Sequence, residues 1–184
     1  MLGNIARSSG FSLIELMITI VVFAISITLG VSSYRTWVQN TQIRNAAESI
    51  QTGIQRARAE AVKRNGNVAF ILLGTAPDWV ASWRVQSPTE IIESSSGREG
   101  SKNVFARGLD KDDNDATTVT FNNLASVTGN ADASETLRRI ELDSTVLDAA
   151  DSRDLEIRVG IGGVGGNVRM CDPNLAAPSP MACN

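Results

Sequence analysis

From Phe11 to Val31 the sequence reads FSLIELMITIVVFAISITLGV, with a single charge, Glu15. At about 1.5 Å per residue such a helix is roughly 31 Å long, enough to cross the hydrocarbon core of a bilayer. The leader before it, Met1–Gly10, is polar, with Arg7 its only charge. A secretory signal would show a basic start, a shorter apolar stretch and a small-residue cleavage site beyond that stretch. Here the candidate cut, Gly10–Phe11, precedes the apolar run, so cleavage leaves the anchor on the mature chain. The leader is expected to stay cytoplasmic and the rest of the chain to be exported.

Glu15 needs a reason, because a carboxylate inside a membrane helix costs roughly 2.5–3.5 kcal/mol. Ser12 and Glu15 have the spacing of a capping box, although Gln would serve there equally well. A charge partner accounts for the acid better. Cleavage would free an ammonium on Phe11, one helical turn from Glu15 or within reach of Glu15 in a neighbouring subunit.

Gly10-Phe11-Ser12-Leu13-Ile14-Glu15-Leu16 resembles the processing and assembly motif of type IV pilins and type II secretion pseudopilins. The resemblance implies that a prepilin peptidase cuts after Gly10 and methylates Phe11, and that Glu15 guides subunit assembly. It implies as partners that peptidase, the inner membrane, and other minor and major pilins met through the N-terminal helix.

Helical periodicity continues past the apolar run. Ile43, Ala46 or Ala47, Ile50, Ile54, Ala57 and Ala61 recur at three- and four-residue steps, with Gln42, Arg44, Glu48, Gln51, Gln55 and Arg58 between them. Asn65-Gly66 is the expected stop, with Lys63 and Arg64 in the last turn. One helix over Ser12–Arg64 would be near 80 Å long, with Gly30 and Gly53 as its soft points. Its basic residues read as a solvated face.

Short β segments follow. Asn67–Leu73 is a continuous apolar run, Trp79–Gln86 follows a Pro-Asp turn, and Thr117–Phe121 is β-branched. Leu137–Leu142 is a looser candidate, and Leu155–Val159 alternates with Glu156 and Arg158 expected outward. Trp79 and Trp83, four apart on one strand, would point to one face and pack in the core. Ser87–Lys102 reads as a mobile insertion. Asp110–Asp115 is tempting for calcium, but Asp115 stands where an EF-hand turns through glycine and Phe121 where it needs glutamate, so a solvated acidic turn is expected. The helix stripe needs an apolar sheet to cover it. The expected fold is α+β: a long N-terminal helix packed on an antiparallel β-sheet head, which the resemblance makes a pilin fold. The segments expected are a leader at 1–10, a transmembrane and assembly half-helix at 11–31, an amphipathic half at 32–65, and a periplasmic β-rich head with its tail at 66–184.

The chain contains no histidine and only two cysteines, Cys171 and Cys183. Ser-His and Cys-His sites, His-ligated metals and four-thiolate centres are therefore excluded. No paired acids stand out for carboxylate hydrolysis. The reading is of a protein that is not an enzyme and needs no cofactor or metal. Residues 66–152 carry seven basic against fourteen acidic side chains, an acidic body that repels phosphate.

In an exported head, Cys171 and Cys183 should pair and pin the Pro-rich tail. The Trp79–Gln86 segment and Arg56–Arg64 resemble the GspH/FimT-type branch of pseudopilins. FimT-like proteins of that branch are DNA receptors for transformation, through a Gly-Arg-x-Arg segment before the first tail cysteine. The matching stretch here is Gly166-Asn167-Val168-Arg169, with Asn167 in place of the first arginine. Arg169 and Asn167 are the candidate DNA contacts, a thin footprint on an acidic head. The expected function is a minor pilin that assembles into, and primes, a type IV pilus, as FimU-like proteins do. The alternatives are a DNA-binding minor pilin and a GspH-like minor pseudopilin of type II secretion.

Overall fold

We describe residues 10–160 and 167–183 of a computed structural model, with residues 28–30 and 32 described by their backbone alone. The leader Met1–Ser9, with Arg7, and the glycine-rich 161–166 lie outside the described residues. One helix, α1, runs from Leu13 to Arg64, through both Gly30 and Gly53. The chain divides into two units, Met1–Trp37 and Val38–Asn184.

In the second unit α1 supplies the stripe its periodicity promised: Ile43, Ala46, Ala47, Ile50, Ile54, Ala57 and Ala61 are all buried in one apolar core. The Asn65-Gly66 stop is a Schellman motif, in which the N–H of Asn65 donates to Val62 (3.2 Å) and that of Gly66 to Ala61 (3.1 Å). Asn65, not Gly66, takes the left-handed conformation, at φ 50°. Gly53 is no soft point. A Cβ there would lie 2.9 Å from Cε3 of Trp83 and 3.0 Å from Cε2 of Phe70, so the missing side chain lets the two rings approach the helix.

Among the described residues the head has two antiparallel sheets. The first contains β1 (Val68–Leu72), β2 (Trp83–Gln86), β3 (Ile91–Ser95), β5 (Thr118–Phe121) and β6 (Val127–Thr128), in the order β3-β2-β1-β5-β6. The second contains β4 (Val104–Leu109), β7 (Arg139–Ser144), β8 (Leu155–Val159) and β9 (Val168–Cys171), in the order β4-β7-β8-β9. Phe70, Leu72, Val85, Val119 and Phe121 of the first sheet join Val104, Ala106, Ile140, Leu142 and Ile157 of the second in the core that the α1 stripe completes. The architecture is the expected one, a helix packed on antiparallel sheets.

Several local expectations are corrected. Ser87–Lys102 contains β3, whose polar composition masked it as a loop. Strand β2 begins only at Trp83, because the chain before it turns to the second sheet: the Trp79 carbonyl accepts from the N–H of Ala106 at 2.8 Å. The two tryptophans therefore part. Trp83 is buried, while half-buried Trp79 packs edge-on against Phe105 with the Arg107 guanidinium over its ring. Asp110–Asp115 is not simply solvated. Asp110 is buried, and it accepts from the N–H groups of Asp112 (2.7 Å) and Asn114 (3.0 Å). Burial opposes its charge, yet these bonds hold its carboxyl below the usual aspartate range.

The helix's basic residues also do more than face water. Glu60 is 3% exposed and is enclosed by Arg64 (2.8 Å), Lys63 (3.3 Å) and Arg56 (3.5 Å). Arg64 also pairs with Glu90, and Arg56 with Glu93 of β3 at 3.5 Å, so the network ties the helix end to the sheet edge. The Arg64 hydrogen bond, with Lys63 and Arg56 behind it, depresses the Glu60 carboxyl although burial opposes this. A depressed folded-state value contributes stability above the unfolded value and loses it as pH falls through the folded one. Glu60→Gln should therefore lower the thermal midpoint at pH 7. Its deficit against wild type should shrink below about pH 4 and vanish at stronger acid. Melting curves across pH check this, and a deficit that does not change with pH would refute it.

Candidate functional site

Two places carry the candidate site residues, one in each unit. In the first, Gly10 has nothing within 4 Å of the place a Cβ would occupy, and Phe11 is 80% exposed. The Gly10–Phe11 bond precedes the first helical residue, Leu13, so it lies outside the helix in exposed chain. The helix starts on the carbonyl of Ser12, which accepts from the N–H groups of Glu15 (3.1 Å) and Leu16 (3.2 Å). The capping-box bonds of the Ser12 and Glu15 side chains do not form among the described residues. Glu15 is exposed, and a capping role therefore does not explain it.

Around Glu15 the helix is apolar on every face. Leu13, Ile14, Leu16, Met17, Ile18, Ile20, Val21, Val22, Phe23, Ile25 and Ile27 are all exposed. Two of its hydroxyls are turned inward: Thr19 donates to the Leu16 carbonyl and Ser26 to that of Val22, each at 2.8 Å. Such back-bonding satisfies a hydroxyl where no water is at hand. Among the described residues no helix is long and apolar enough to cross a membrane. Residues 28–30, which continue the apolar run of the sequence, have no described side chains.

The second place is the tail. Cys171 and Cys183 form a disulfide, with Cα atoms 5.0 Å apart. The N–H of Asp172 donates to Met181 at 2.7 Å, which lays the tail back along the end of β9. Arg169 donates from Nη2 to the carbonyls of Ala182 (2.8 Å) and Pro180 (3.1 Å), so its guanidinium clamps the same tail. Asn167 is exposed at the start of β9, where its carbonyl accepts from Gly160 N–H at 2.7 Å.

The tail also explains why Glu156 departs from the expected alternation. Glu156 lies opposite Cys171 in the β8–β9 register, and it is 9% exposed because the disulfide covers that face. Its charge is met by Arg158 at 3.0 Å. Glu156, Cys171 and Cys183 cluster within 4.8 Å, but sulfurs joined in a disulfide offer no thiolate to a metal.

One arrangement was invisible in the sequence. Arg139, Arg158 and Arg169 stand directly opposite one another across β7, β8 and β9. Only the strand register reveals this row. Each arginine is engaged within the head: Arg139 with Asp113 (2.9 Å) and Glu141 (3.1 Å), Arg158 with Glu156, and Arg169 with the tail carbonyls. The row is internally balanced.

The sequence of the second unit matches a family model, type II transport protein GspH, over residues 46–176. The chain belongs to the GspH family. A second match, the prokaryotic N-terminal methylation motif, covers residues 5–31 and includes Gly10, Phe11 and Glu15. This GspH-family chain is thus a pilin-like protein of the type IV minor pilin and pseudopilin class, a class of structural proteins. A comparison with curated proteins found no match. Two crystal structures of the type IV minor pilin FimU from Pseudomonas aeruginosa are similar at a distance. One, in space group P65, is 16% identical and has a TM-score of 0.45, with 71% of this chain and 97% of that chain covered. The other, in P21, is 15% identical with a TM-score of 0.49, and covers 75% and 97%.

Proposed function

We propose that this GspH-family protein is a membrane-anchored minor pilin that joins a type IV pilus as a tip or priming subunit. The observation that carries this reading is the helix around Glu15: apolar on all sides, exposed along its length, and bearing one acid near its start. A helix uniformly apolar needs lipid or other apolar helices around it, and a pilin meets the first in the membrane and the second in the filament core. Prepilin peptidase cuts between Gly10 and Phe11, methylates Phe11, and removes the leader, residues 1–10. Residues 11–31 then hold the chain in the inner membrane as a single pass, and residues 32–65 carry the periplasmic head, 66–184. Glu15 meets the N-terminal ammonium of a neighbouring pilin as subunits join the filament.

The family match favours one second reading, a minor pseudopilin of type II secretion. DNA reception has less behind it. Arg169 is held by the tail, and the head is acidic.

The test is Glu15→Ala, expressed with prepilin peptidase in a piliated host. The variant should be processed to the mature size yet be missing from sheared pili. Retention of the variant in pili would overturn the role given to Glu15. Wild-type protein absent from pili but present in secretion pseudopili would decide for the second reading.

A further inference from the structure

Tyr34 and Trp37 lie three residues apart on α1 and so share a helix face, with ring centroids 6.0 Å apart. They are 65% and 64% exposed. Arg35, between them, is exposed and has no ion-pair partner among the described residues. It is also the first charge after Glu15 in the sequence. Two large rings this exposed beside an exposed guanidinium do not resemble a surface made for bulk water. Tyr and Trp combine an apolar body with a polar edge, which suits the boundary between acyl chains and headgroups. Arginine suits the same boundary, its stem lying along apolar surface while the guanidinium reaches phosphate.

The spacing agrees. From Leu13, where α1 begins, to Tyr34 the helix rises about 32 Å, close to the roughly 30 Å of a hydrocarbon core. We propose that Tyr34, Arg35 and Trp37 form an interfacial anchor that sits among phospholipid headgroups on the head's side of the bilayer and fixes the depth of α1. This rests on the membrane-anchored reading given above. With the anchor seated, Glu15 lies about 29 Å further along the axis, within a turn of the opposite headgroups rather than at the bilayer centre. The carboxylate is thereby held where desolvation is mildest and where the Phe11 ammonium can sit among phosphates.

The experiment uses the full chain reconstituted in vesicles of phosphatidylcholine and phosphatidylglycerol whose acyl chains are brominated at graded depths. The chain has three tryptophans, so Trp37 emission is taken as the difference between wild type and Trp37→Phe. The expected result is a loss of Trp37 emission that is greatest with bromine nearest the headgroup and falls toward the bilayer centre. Tyr34→Ala should broaden that profile, because one ring alone holds the depth less firmly. Alkaline carbonate extraction of the same vesicles separates the two readings. A chain released by carbonate overturns the membrane anchor and this proposal with it. A chain retained, with Trp37 unquenched at every depth or quenched most at the centre, overturns the interfacial anchor alone. Unquenched Trp37 in retained chain would assign that face to neighbouring helices.

Discussion

Gly53→Val is expected to lower the stability of the protein by about 3 kcal/mol, the upper part of the range for overpacking a well-filled core. Helix propensity alone argues the other way, since glycine inside a helix costs about 1 kcal/mol relative to alanine. The core decides. A Cβ at this position would sit 2.9 Å from Trp83 Cε3 and 3.0 Å from both Trp83 Cδ2 and Phe70 Cε2, and a valine adds two methyl groups beyond it. Neither ring can easily retreat. Trp83 donates its indole N–H to Ser49 Oγ at 2.9 Å, one turn before Gly53, and packs on Phe70 with centroids 5.9 Å apart. For a chain of this size the loss corresponds to a fall of roughly 6–12 °C in thermal midpoint. Melting the full chain in detergent checks it, with Gly53→Val/Trp83→Phe as the coupled variant. The smaller ring should restore part of the loss if the clash is with Trp83, and additive losses would show that it is not.

Replacing both tail cysteines, Cys171→Ser with Cys183→Ser, should cost a similar amount. The bridge closes a loop of sequence separation 12, for which the chain-entropy relation gives about 3 kcal/mol. Among the described residues the remaining tail contacts include the Arg169 bonds to Pro180 and Ala182, the Asp172–Met181 backbone bond and an Asp154–Asn174 side-chain hydrogen bond. Ala182 is buried, whereas most of the tail is exposed, so little apolar area would hold the segment once the bridge is gone. The variant should melt roughly 6–12 °C below wild type and be cut faster by protease between 172 and 182. Reductant should destabilise wild type and leave the variant unchanged. An unaltered midpoint would mean that the tail's own contacts suffice.

These two positions show what could be read in the chain and what could not. The α1 stripe was legible because a period near 3.6 is a property of neighbours in sequence. In sequence Gly53 looks like a weakness because its reason, Trp83, stands thirty positions away and comes to it only through the packing of β2 on the helix. The processing motif was legible for the same reason as the stripe, being contiguous. The Arg139–Arg158–Arg169 row needed two strand registers before it existed. Strand β3 was hidden by its serines and glutamates, which reflect an edge strand with mostly exposed side chains rather than a loop. Alternation sends Glu156 to solvent because it says which face a residue is on, but not that a disulfide-held tail covers that face.

The inward turn of Thr19 and Ser26 has a consequence for any bundle of these helices. With their protons given to their own backbone, these two side chains have no O–H left to donate to a neighbour. Between Gly10 and Val31 Glu15 is the one ionisable side chain. Smooth apolar shafts packed side by side can slide along one another at little energetic cost, so dispersion alone sets their distance but not their stagger. On the assembly reading proposed above, the single charge on each shaft, Glu15, is the group expected to set the axial step of the stack.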